Sequence, residues 1–256
     1  MAIRIGIAGI AGRMGRLLTE EVAAAGETLS GGTVRGTAPT VGATILPDAA
    51  ALFAASDVVI DFTHAHSARA HAEAAARSGK GLVLGTSGLS AEDEAAVAEA
   101  AKQAPIVYAA NFAAGVCIVI AMAEKLAAAL PAERYDAEIV EMHHRQKVDA
   151  PSGTAVAIGR AVARGRGTTL EQAGQESGRD GHTGPRKTGT IGFAALRGGQ
   201  VVGEHTLLFA AGSEHIALTH RSFDRRAYAT GAVRAAQWLH GRTPGLYSMN
   251  DVLGLG

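Results

Sequence analysis

The stretch Ile3-Arg-Ile-Gly-Ile-Ala-Gly9-Ile-Ala-Gly12-Arg-Met-Gly15 carries the strongest signal for the fold class. Its first six residues are mostly apolar and β-branched, which predicts a buried strand over residues 3–8. The glycines that follow permit a tight turn into a helix over about residues 13–25, and they let backbone amides approach a pyrophosphate. A glycine pattern alone is weak in a chain with 33 glycines, but this position between a first strand and a first helix predicts a dinucleotide-binding loop. A tight turn with only a structural role is the alternative.

The rest of the first hundred residues alternates strands and helices in the same way. Short apolar runs at residues 58–62, 81–85 and 106–109 predict buried strands. Alanine-rich amphipathic segments near residues 64–78 and 90–103 predict helices. This alternation predicts an α/β fold with a Rossmann-like, doubly wound parallel sheet and helices on both faces.

The pattern changes after about residue 113. A helix over about 115–130, a strand over 135–142 and a helix over about 154–162 precede a polar, glycine-rich stretch, residues 164–189, which we interpret as a long loop. A last helix is predicted over about 227–240. Strands joined by short turns predict an antiparallel meander at residues 190–196, 201–210 and 215–221. The second half is therefore α+β, with a mixed or antiparallel sheet, and separate from the first.

The composition excludes several classes of protein. The 24 basic and 24 acidic residues balance, so the net charge gives no support for binding to nucleic acid or to a membrane surface. A single cysteine, Cys117, cannot form an internal disulfide, and its apolar surroundings favour a buried structural thiol. The N-terminus has no signal-peptide pattern, and no apolar run reaches the length of a membrane span. We therefore expect a cytoplasmic protein of one large domain or two modest ones.

The end of the second predicted strand indicates which dinucleotide binds. A site for NAD usually places Asp or Glu there, where the carboxylate binds the ribose hydroxyls. Here Gly31-Gly-Thr-Val34-Arg35-Gly36 has no acid but has an arginine, which suits the 2′-phosphate of NADPH. Arg13 and Arg16 could add to the phosphate site. The alternative is that Arg35 is a solvated loop charge.

Small and hydroxyl-bearing residues follow the other predicted parallel strands. They occur in Phe62-Thr63-His64, in Gly85-Thr86-Ser87 and in Ala109-Ala110-Asn111-Phe112. Ligands of an open α/β sheet bind outside the carboxyl ends of its strands, so these residues suit a cofactor laid across that edge. His64 and His66 lie in the first of these loops. A loop histidine is more often a solvated or capping residue, and we give both little catalytic weight.

A cluster of cationic side chains precedes a predicted helix in the stretch Glu141-Met-His143-His144-Arg-Gln-Lys147-Val-Asp-Ala-Pro-Ser152-Gly153-Thr154. The serine can cap that helix, and the glycine and threonine expose amide groups to an anion. The cluster therefore predicts a pocket for a substrate that carries carboxylates, with His143 or Lys147 as general acid.

Two other interpretations of this cluster stay open. A metal site is disfavoured because adjacent histidines lack the spacing of a standard zinc motif, and because Lys147 would repel a cation. We therefore predict no metal. The second interpretation is a surface group of solvated histidines beside a solvated lysine.

The chain resembles the dihydrodipicolinate reductase (4-hydroxy-tetrahydrodipicolinate reductase) family over essentially its full length. The resemblance rests on the glycine loop and on residues 138–155, and on the motifs Gly181-His-Thr-Gly, Gly189-Thr-Ile-Gly-Phe193 and Gly203-Glu-His205. It implies a dinucleotide-binding domain over residues 1–113, completed by residues 224–256. It also implies a domain for substrate binding and oligomerisation over residues 114–223.

The family resemblance implies an NAD(P)H-dependent oxidoreductase of lysine and diaminopimelate biosynthesis, which reduces 4-hydroxy-tetrahydrodipicolinate to tetrahydrodipicolinate. Hydride would pass to C4 of this cyclic dicarboxylate with loss of water. The resemblance assigns proton transfer to His143 and Lys147. The implied holders of a substrate carboxylate are His144, Gly153 and Thr154. The implied cofactor contacts are Gly9, Ile10, Ala11, Gly12, Arg13, Met14, Thr63, Gly85, Thr86, Ser87, Ala109, Ala110, Asn111 and Phe112.

Many members of the family carry an acid just before the arginine, where this chain has Val34. The departure agrees with the preference for NADPH that Arg35 indicates, although members are often dual-specific and NADH stays a second candidate. The family implies a homotetramer, and a predicted sheet with a face or edge left to cover independently favours a homo-oligomer. The alternatives are another two-domain nicotinamide-dependent reductase of a small dicarboxylate or amino acid, and a dinucleotide-binding sensor that has lost catalysis.

Overall fold

The computed structural model describes residues 2–36 and 42–255. The chain divides into two compact units. The first comprises Met1–Ala114 and Arg226–Gly256, and the second comprises Gly115–Arg225.

The first unit contains a parallel sheet of six strands. They are β1 (Arg4–Ala8), β2 (Thr28–Gly32), β3 (Val58–Asp61), β4 (Gly81–Leu84), β5 (Pro105–Tyr108) and β11 (Gly245–Tyr247). Their order is β11-β5-β4-β3-β1-β2, and all neighbouring pairs are parallel. The chain order reverses at β1, because β2 lies on one side of it and β3 on the other. In an open α/β sheet, ligands bind at such a switch point, outside the carboxyl ends of the strands.

Helices cover this sheet. They are α1 (Arg13–Ala24), α2 (Ala49–Ala55), α3 (Ala65–Ser78), α4 (Ala91–Ala100), α8 (Arg226–Leu239) and α9 (Met249–Leu253). Strand residues such as Ile5, Ile60 and Ile106 are fully buried, as expected of a sheet with helices on both faces. Alanines of α3, including Ala72 and Ala75, pack in this core, where small side chains let helix and sheet approach closely. The predicted Rossmann-like fold class is confirmed.

The second unit contains a mixed sheet of five strands. They are β6 (Asp136–His143), β7 (Gln175–Ser177), β8 (Ile191–Arg197), β9 (Gly203–Ala210) and β10 (His215–Ser222), in the order β10-β9-β6-β8-β7. The central strand β6 is antiparallel to β9 and parallel to β8. The helices are α5 (Ala114–Ala129), α6 (Gly153–Gly165) and α7 (Leu170–Ala173). Helices α5 and α6 pack on one face of the sheet, where Ile139, Phe193 and Leu207 are buried.

The other face of this mixed sheet carries exposed apolar side chains. Along β6, residues alternate between the helix-covered face and this open face. Val140 of β6 is 39% exposed, and Leu196 of β8, which pairs with Met142, is 52% exposed. We call the surface formed by Val140, Met142, Ala194, Leu196 and Leu208 the open apolar face.

The expected mixed or antiparallel sheet is confirmed in its mixed form, and β9 and β10 form the antiparallel pair that the predicted meander required. The predicted pairing of β8 with β9 is wrong. Strands β8 and β9 follow each other in the chain, but β6 lies between them. Residues 198–202 are enough to cross one strand, because neighbouring strands are ~4.8 Å apart and each extended residue spans ~3.3 Å. A short turn between two strands predicts a hairpin only when no third strand is inserted, and the local pattern does not reveal an insertion.

The predicted loop over residues 164–189 is also partly wrong. Helix α6 continues to Gly165, and α7 and β7 follow within the stretch. Thr169 and Gln172 form a capping box that begins α7, a signal of helix start that is visible in the sequence. Helices α2 and α9 and strand β11 were likewise absent from the prediction, because all three are short.

Helix α5 contains the only cysteine of the chain. Burial raises the pKa of the Cys117 thiol to about 11, so the thiol stays protonated and unreactive at neutral pH. Neither α5 nor any other helix in the described ranges is long and apolar enough to cross a membrane.

Candidate active site

The glycine loop forms a tight turn between β1 and α1. Gly9 has a left-handed φ of 70°, and its carbonyl accepts a hydrogen bond from Gly12 N at 2.9 Å. A Cβ at Gly9 would lie 2.8 Å from Thr63 Cγ2, and a Cβ at Gly15 would collide with the Gly9 carbonyl. Among the described residues, no side chain caps the N-terminus of α1, and its first turn has no acid. The positive end of the helix dipole is therefore available to an anion.

A cavity of about 650 Å³ opens above this loop. Predicted cofactor residues among its lining are Gly9, Ala11, Gly12, Arg13, Met14, Arg35 and Thr63. The lining also includes Ala8, Gly15, Thr33, Val34, Phe62, His64, Ser67 and His71. Ile10, another predicted contact, is instead fully buried. The volume lies within the range of small-molecule and cofactor sites.

Arg35, which lines this cavity, forms a hydrogen bond with a histidine. Its Nη2 lies 2.7 Å from Nε2 of His64, whose ring stacks on that of His66 at 5.6 Å between centroids. A guanidinium can only donate, so Nε2 of His64 accepts. His64 therefore contacts Arg35, the residue predicted to bind the 2′-phosphate, and the sequence did not indicate this contact.

A buried aspartate organises the loop after β3. Asp61 is fully buried and accepts hydrogen bonds from the backbone N and Oγ1 of Thr63, both at 2.7 Å. Its other oxygen lies 2.6 Å from Nδ1 of His71 on α3. Sequence reasoning missed this pair, although Asp61 lies in the strand predicted over residues 58–62 and His71 follows ten residues later.

The remaining predicted cofactor residues follow β4 and β5 at the same edge of the sheet, outside that cavity lining. A Cβ at Gly85 would collide with the Phe62 ring, and Phe62 packs edge-on against Phe112 at 5.3 Å. Thr86 is 4% exposed, and its hydroxyl has no hydrogen-bond partner in the described part of the chain. Ser87, Ala109, Ala110 and Asn111 complete this group. The uncapped helix, the glycine cradle and the buried hydroxyl together fit a dinucleotide.

In the second unit, Glu141 and His143 lie on the same face of β6. Nδ1 of His143 is 2.6 Å from Oε2 of Glu141. The same carboxylate accepts two hydrogen bonds of 2.8 Å from Arg197 and one of 3.1 Å from Ser152 N. Burial alone would raise the pKa of Glu141, but the hydrogen bonds from Arg197, His143 and Ser152 offset it and hold the pKa below its usual range.

A second buried histidine borders this group. The His205 ring is edge-on to that of His143 at 5.1 Å, and its Nε2 is 3.0 Å from Ser152 Oγ. Ser152 Oγ in turn caps α6 by accepting from Ala155 N. Burial, together with the neighbouring His143, lowers the pKa of His205 to about 4. His205 is therefore neutral near pH 7.

The predicted substrate residues occupy the turn after β6 and the start of α6. Lys147 Nζ donates to Asp149 Oδ1 at 2.8 Å, and this hydrogen bond lowers the pKa of Asp149. Nδ1 of His144 is buried without a hydrogen-bond partner among the residues the structure describes. Gly153 and Thr154 lie in the first turn of α6, and apart from the chain next to Gly153, no described atom lies within 4 Å of a Cβ built there. The first-turn amides of α6 are of the kind that bind an anion.

The sequence prediction missed the residues that support His143. Glu141 belongs to the histidine–lysine stretch, but the sequence does not show that its carboxylate is buried and accepts hydrogen bonds from Arg197, 56 residues away. His205 belongs to the motif Gly203-Glu-His205, but the sequence assigned it no role. The alternation of residues along β6 was the available signal, because it places Glu141 and His143 on one face.

Known proteins with similar sequences and folds were identified. The models described as dihydrodipicolinate reductase, N-terminus and C-terminus, match residues 3–112 and 115–253. The 4-hydroxy-tetrahydrodipicolinate reductase of Granulibacter bethesdensis is 65% identical over 258 residues, covering 99% of this chain and 98% of the relative. That of Gluconacetobacter diazotrophicus is 62% identical over 253 residues, covering 99% and 98%. A dipicolinate-bound dihydrodipicolinate reductase from Paenisporosarcina sp. TG-14 has a similar fold, with a TM-score of 0.78 at 24% identity, covering 97% of this chain and 98% of that one.

Proposed function

We propose the activity of this chain from the premise that it belongs to the dihydrodipicolinate reductase family. It is an NAD(P)H-dependent oxidoreductase that reduces 4-hydroxy-tetrahydrodipicolinate to tetrahydrodipicolinate in lysine and diaminopimelate biosynthesis. The observation that carries this conclusion is 65% identity to a reductase of that name over 99% of the chain.

The first unit would hold the nicotinamide dinucleotide, which supplies the hydride. The amides of the glycine loop and the N-terminus of α1 would bind the pyrophosphate, because they present donors and a positive dipole to an anion. The hydroxyl of Thr86 would find a partner on the cofactor. The full proposed set is Gly9, Ile10, Ala11, Gly12, Arg13, Met14, Arg35, Thr63, Gly85, Thr86, Ser87, Ala109, Ala110, Asn111 and Phe112.

NADPH would be preferred over NADH. Arg35 and Arg13 line the cavity, so two cations are available to a 2′-phosphate. Val34, at the position before the arginine, supplies no carboxylate to bind ribose hydroxyls or to repel a phosphate. NADH would still bind through the contacts to the rest of the molecule, so the preference is one of degree.

The second unit would hold the substrate. One carboxylate would bind the first-turn amides of Gly153 and Thr154 and the imidazole of His144, whose buried Nδ1 lacks another partner among the described residues. His143 and Lys147 would move protons, with Lys147 exchanging its bond to Asp149 for one to the substrate. Substrate binding would therefore replace an internal carboxylate by an external one.

The chain would assemble as a homotetramer in the cytoplasm. The open apolar face supports an assembly, because Val140 and Leu196 are large apolar side chains that are 39% and 52% exposed.

The activity is tested by following loss of NADPH absorbance with freshly generated 4-hydroxy-tetrahydrodipicolinate, and by repeating the assay with NADH. We expect turnover with both cofactors and a higher kcat/KM with NADPH. Tight cofactor binding without turnover would instead identify a sensor. Equal kcat/KM for both cofactors would contradict the proposed preference while leaving the reaction intact.

A further inference from the structure

We propose that Glu141 is a positioning residue that fixes the tautomer and the orientation of His143, so that the ring offers an unprotonated Nε2 to the substrate. The proposal rests on the proposed role of His143 in proton transfer. It assigns Glu141, which does not touch the reacting atoms, a function in the same reaction.

The tautomer follows from the charge of Glu141. An ionised carboxylate can only accept hydrogen bonds, so the 2.6 Å contact between its Oε2 and His143 Nδ1 requires a proton on Nδ1. In a neutral imidazole, Nε2 then carries the lone pair. That nitrogen can take up a proton and return it, while the carboxylate stabilises the cationic ring that forms in between.

The orientation follows from how firmly Glu141 is held. The residue is 1% exposed, and its two oxygens accept from Arg197, Ser152 and His143. Arg197 is fixed in turn, because its guanidinium also donates to the carbonyl oxygens of Leu196 and Asp149. Hydrogen bonds from β6, β8 and the start of α6 therefore converge on one carboxylate, and it has no alternative position without losing several of them.

The residues around the other edges of the His143 ring also suit an unprotonated Nε2 that is offered to the substrate. A Cβ at Gly203 would lie 3.0 Å from Nε2, so the glycine keeps that edge free of a side chain. The edge-on ring of His205 supports His143 from the side at 5.1 Å. Because burial keeps His205 uncharged near neutral pH, it does not oppose a positive charge on His143.

The variant Glu141→Gln separates this role from simple packing. The Gln side chain has the same size, and its oxygen can still accept from Arg197. The amide oxygen is favoured at the Oε1 position, where it keeps the hydrogen bonds from Arg197 Nη2 and Ser152 N, although Arg197 Nη1 loses its acceptor. The NH₂ group then takes the Oε2 position and donates to His143 Nδ1, which moves the ring proton to Nε2. We expect kcat to fall about 10²–10⁴-fold, the usual contribution of general acid–base catalysis, with little change in KM or in the Kd of NADPH.

The tautomer is read directly from ¹⁵N spectra of histidine-labelled protein near neutral pH, with the His143 signals identified by their loss in His143→Gln. The expected result is an Nδ1–H tautomer in the wild type and an Nε2–H tautomer in Glu141→Gln. An Nε2–H tautomer in the wild type would overturn the proposal even if the variant failed to fold.

Glu138→Gln is the matched control. Glu138 lies on the same strand, faces the other way and accepts hydrogen bonds from Arg179 and Arg186. We expect this variant to keep the wild-type kcat and tautomer. A Glu141→Gln enzyme as active as wild type would overturn the positioning role of Glu141. If His143→Gln were inactive in the same assay, the proposed function of His143 would still stand. A fully active His143→Gln would instead contradict the function on which the inference rests.

Discussion

Gly203 of β9 faces the Nε2 edge of His143 of β6 so closely that an added Cβ would lie 3.0 Å from that nitrogen. The alanine variant Gly203→Ala would therefore place a methyl group where the substrate must approach. We expect kcat/KM to fall on the order of 10–100-fold, because displacements of about 1 Å in a reacting geometry have effects of this size. Steady-state kinetics with saturating NADPH measure the change.

Gly198→Ala is the control for this substitution. A Cβ at Gly198 would approach only the flexible end of Met142, at 3.1 Å, and would not contact His143. We expect near-wild-type kinetics for this variant. Equal losses in both variants would mean that any added methyl group near the β8–β9 connection disturbs the sheet, and that Gly203 has no special relation to His143.

His143→Gln and Lys147→Ala should each lower kcat by about 10²–10⁴-fold, because each removes a group proposed to transfer a proton. The Kd of NADPH should change little, since both side chains belong to the second unit and the proposed cofactor site to the first. Fluorescence titration with NADPH and steady-state kinetics provide the two readouts. A variant that retains nearly wild-type turnover would show that its residue has been assigned the wrong role.

The features that the sequence predicted are those encoded by neighbouring residues. The loop from Gly9 to Gly15 is local, and so is the start of the helix predicted near residue 90, where Ser90 and Asp93 form a capping box in α4. The environment of His143 depends on Arg197 and His205, which reach it through the pairing of β6 with β8 and β9. Since the sequence does not show that β6 lies between those two strands, neither the order of the strands in the sheet nor the charge state of Glu141 could be derived from it.

Arg35→Ala should raise the KM for NADPH by about 10-fold and leave that for NADH nearly unchanged, because a hydrogen bond to a charged group contributes ~1.5–3 kcal/mol and only NADPH carries the 2′-phosphate. The readout is the ratio of kcat/KM values for the two cofactors. Arg77→Ala removes an equally charged but exposed side chain of α3 and should leave the ratio unchanged. A loss of the same size for both cofactors would contradict recognition of the 2′-phosphate by Arg35.

The stability of the second unit should depend on the protonation of His205. Its folded-state pKa is lowered to about 4 from an ordinary value of 6.5, so below pH 6.5 the unfolded chain binds a proton that the folded chain does not. Stability should therefore fall as the pH drops from about 6.5 to 4, by roughly 3 kcal/mol from this group. Urea unfolding at pH 7 and pH 4.5 measures the loss in wild type and in His205→Gln. An identical loss in both proteins would show that other groups cause the acid sensitivity.

Leu196→Glu should dissociate the proposed tetramer. Leu196 is 52% exposed on the open apolar face, and a charge introduced there would have to be buried on assembly without a partner. Leu246→Glu is a matched control, because Leu246 is 48% exposed but lies on β11 of the other sheet. Analytical ultracentrifugation should give a tetramer for wild type and for Leu246→Glu, and smaller species for Leu196→Glu. A tetramer that survives Leu196→Glu would place the subunit contact on another surface, and a wild-type monomer would contradict the assembly itself.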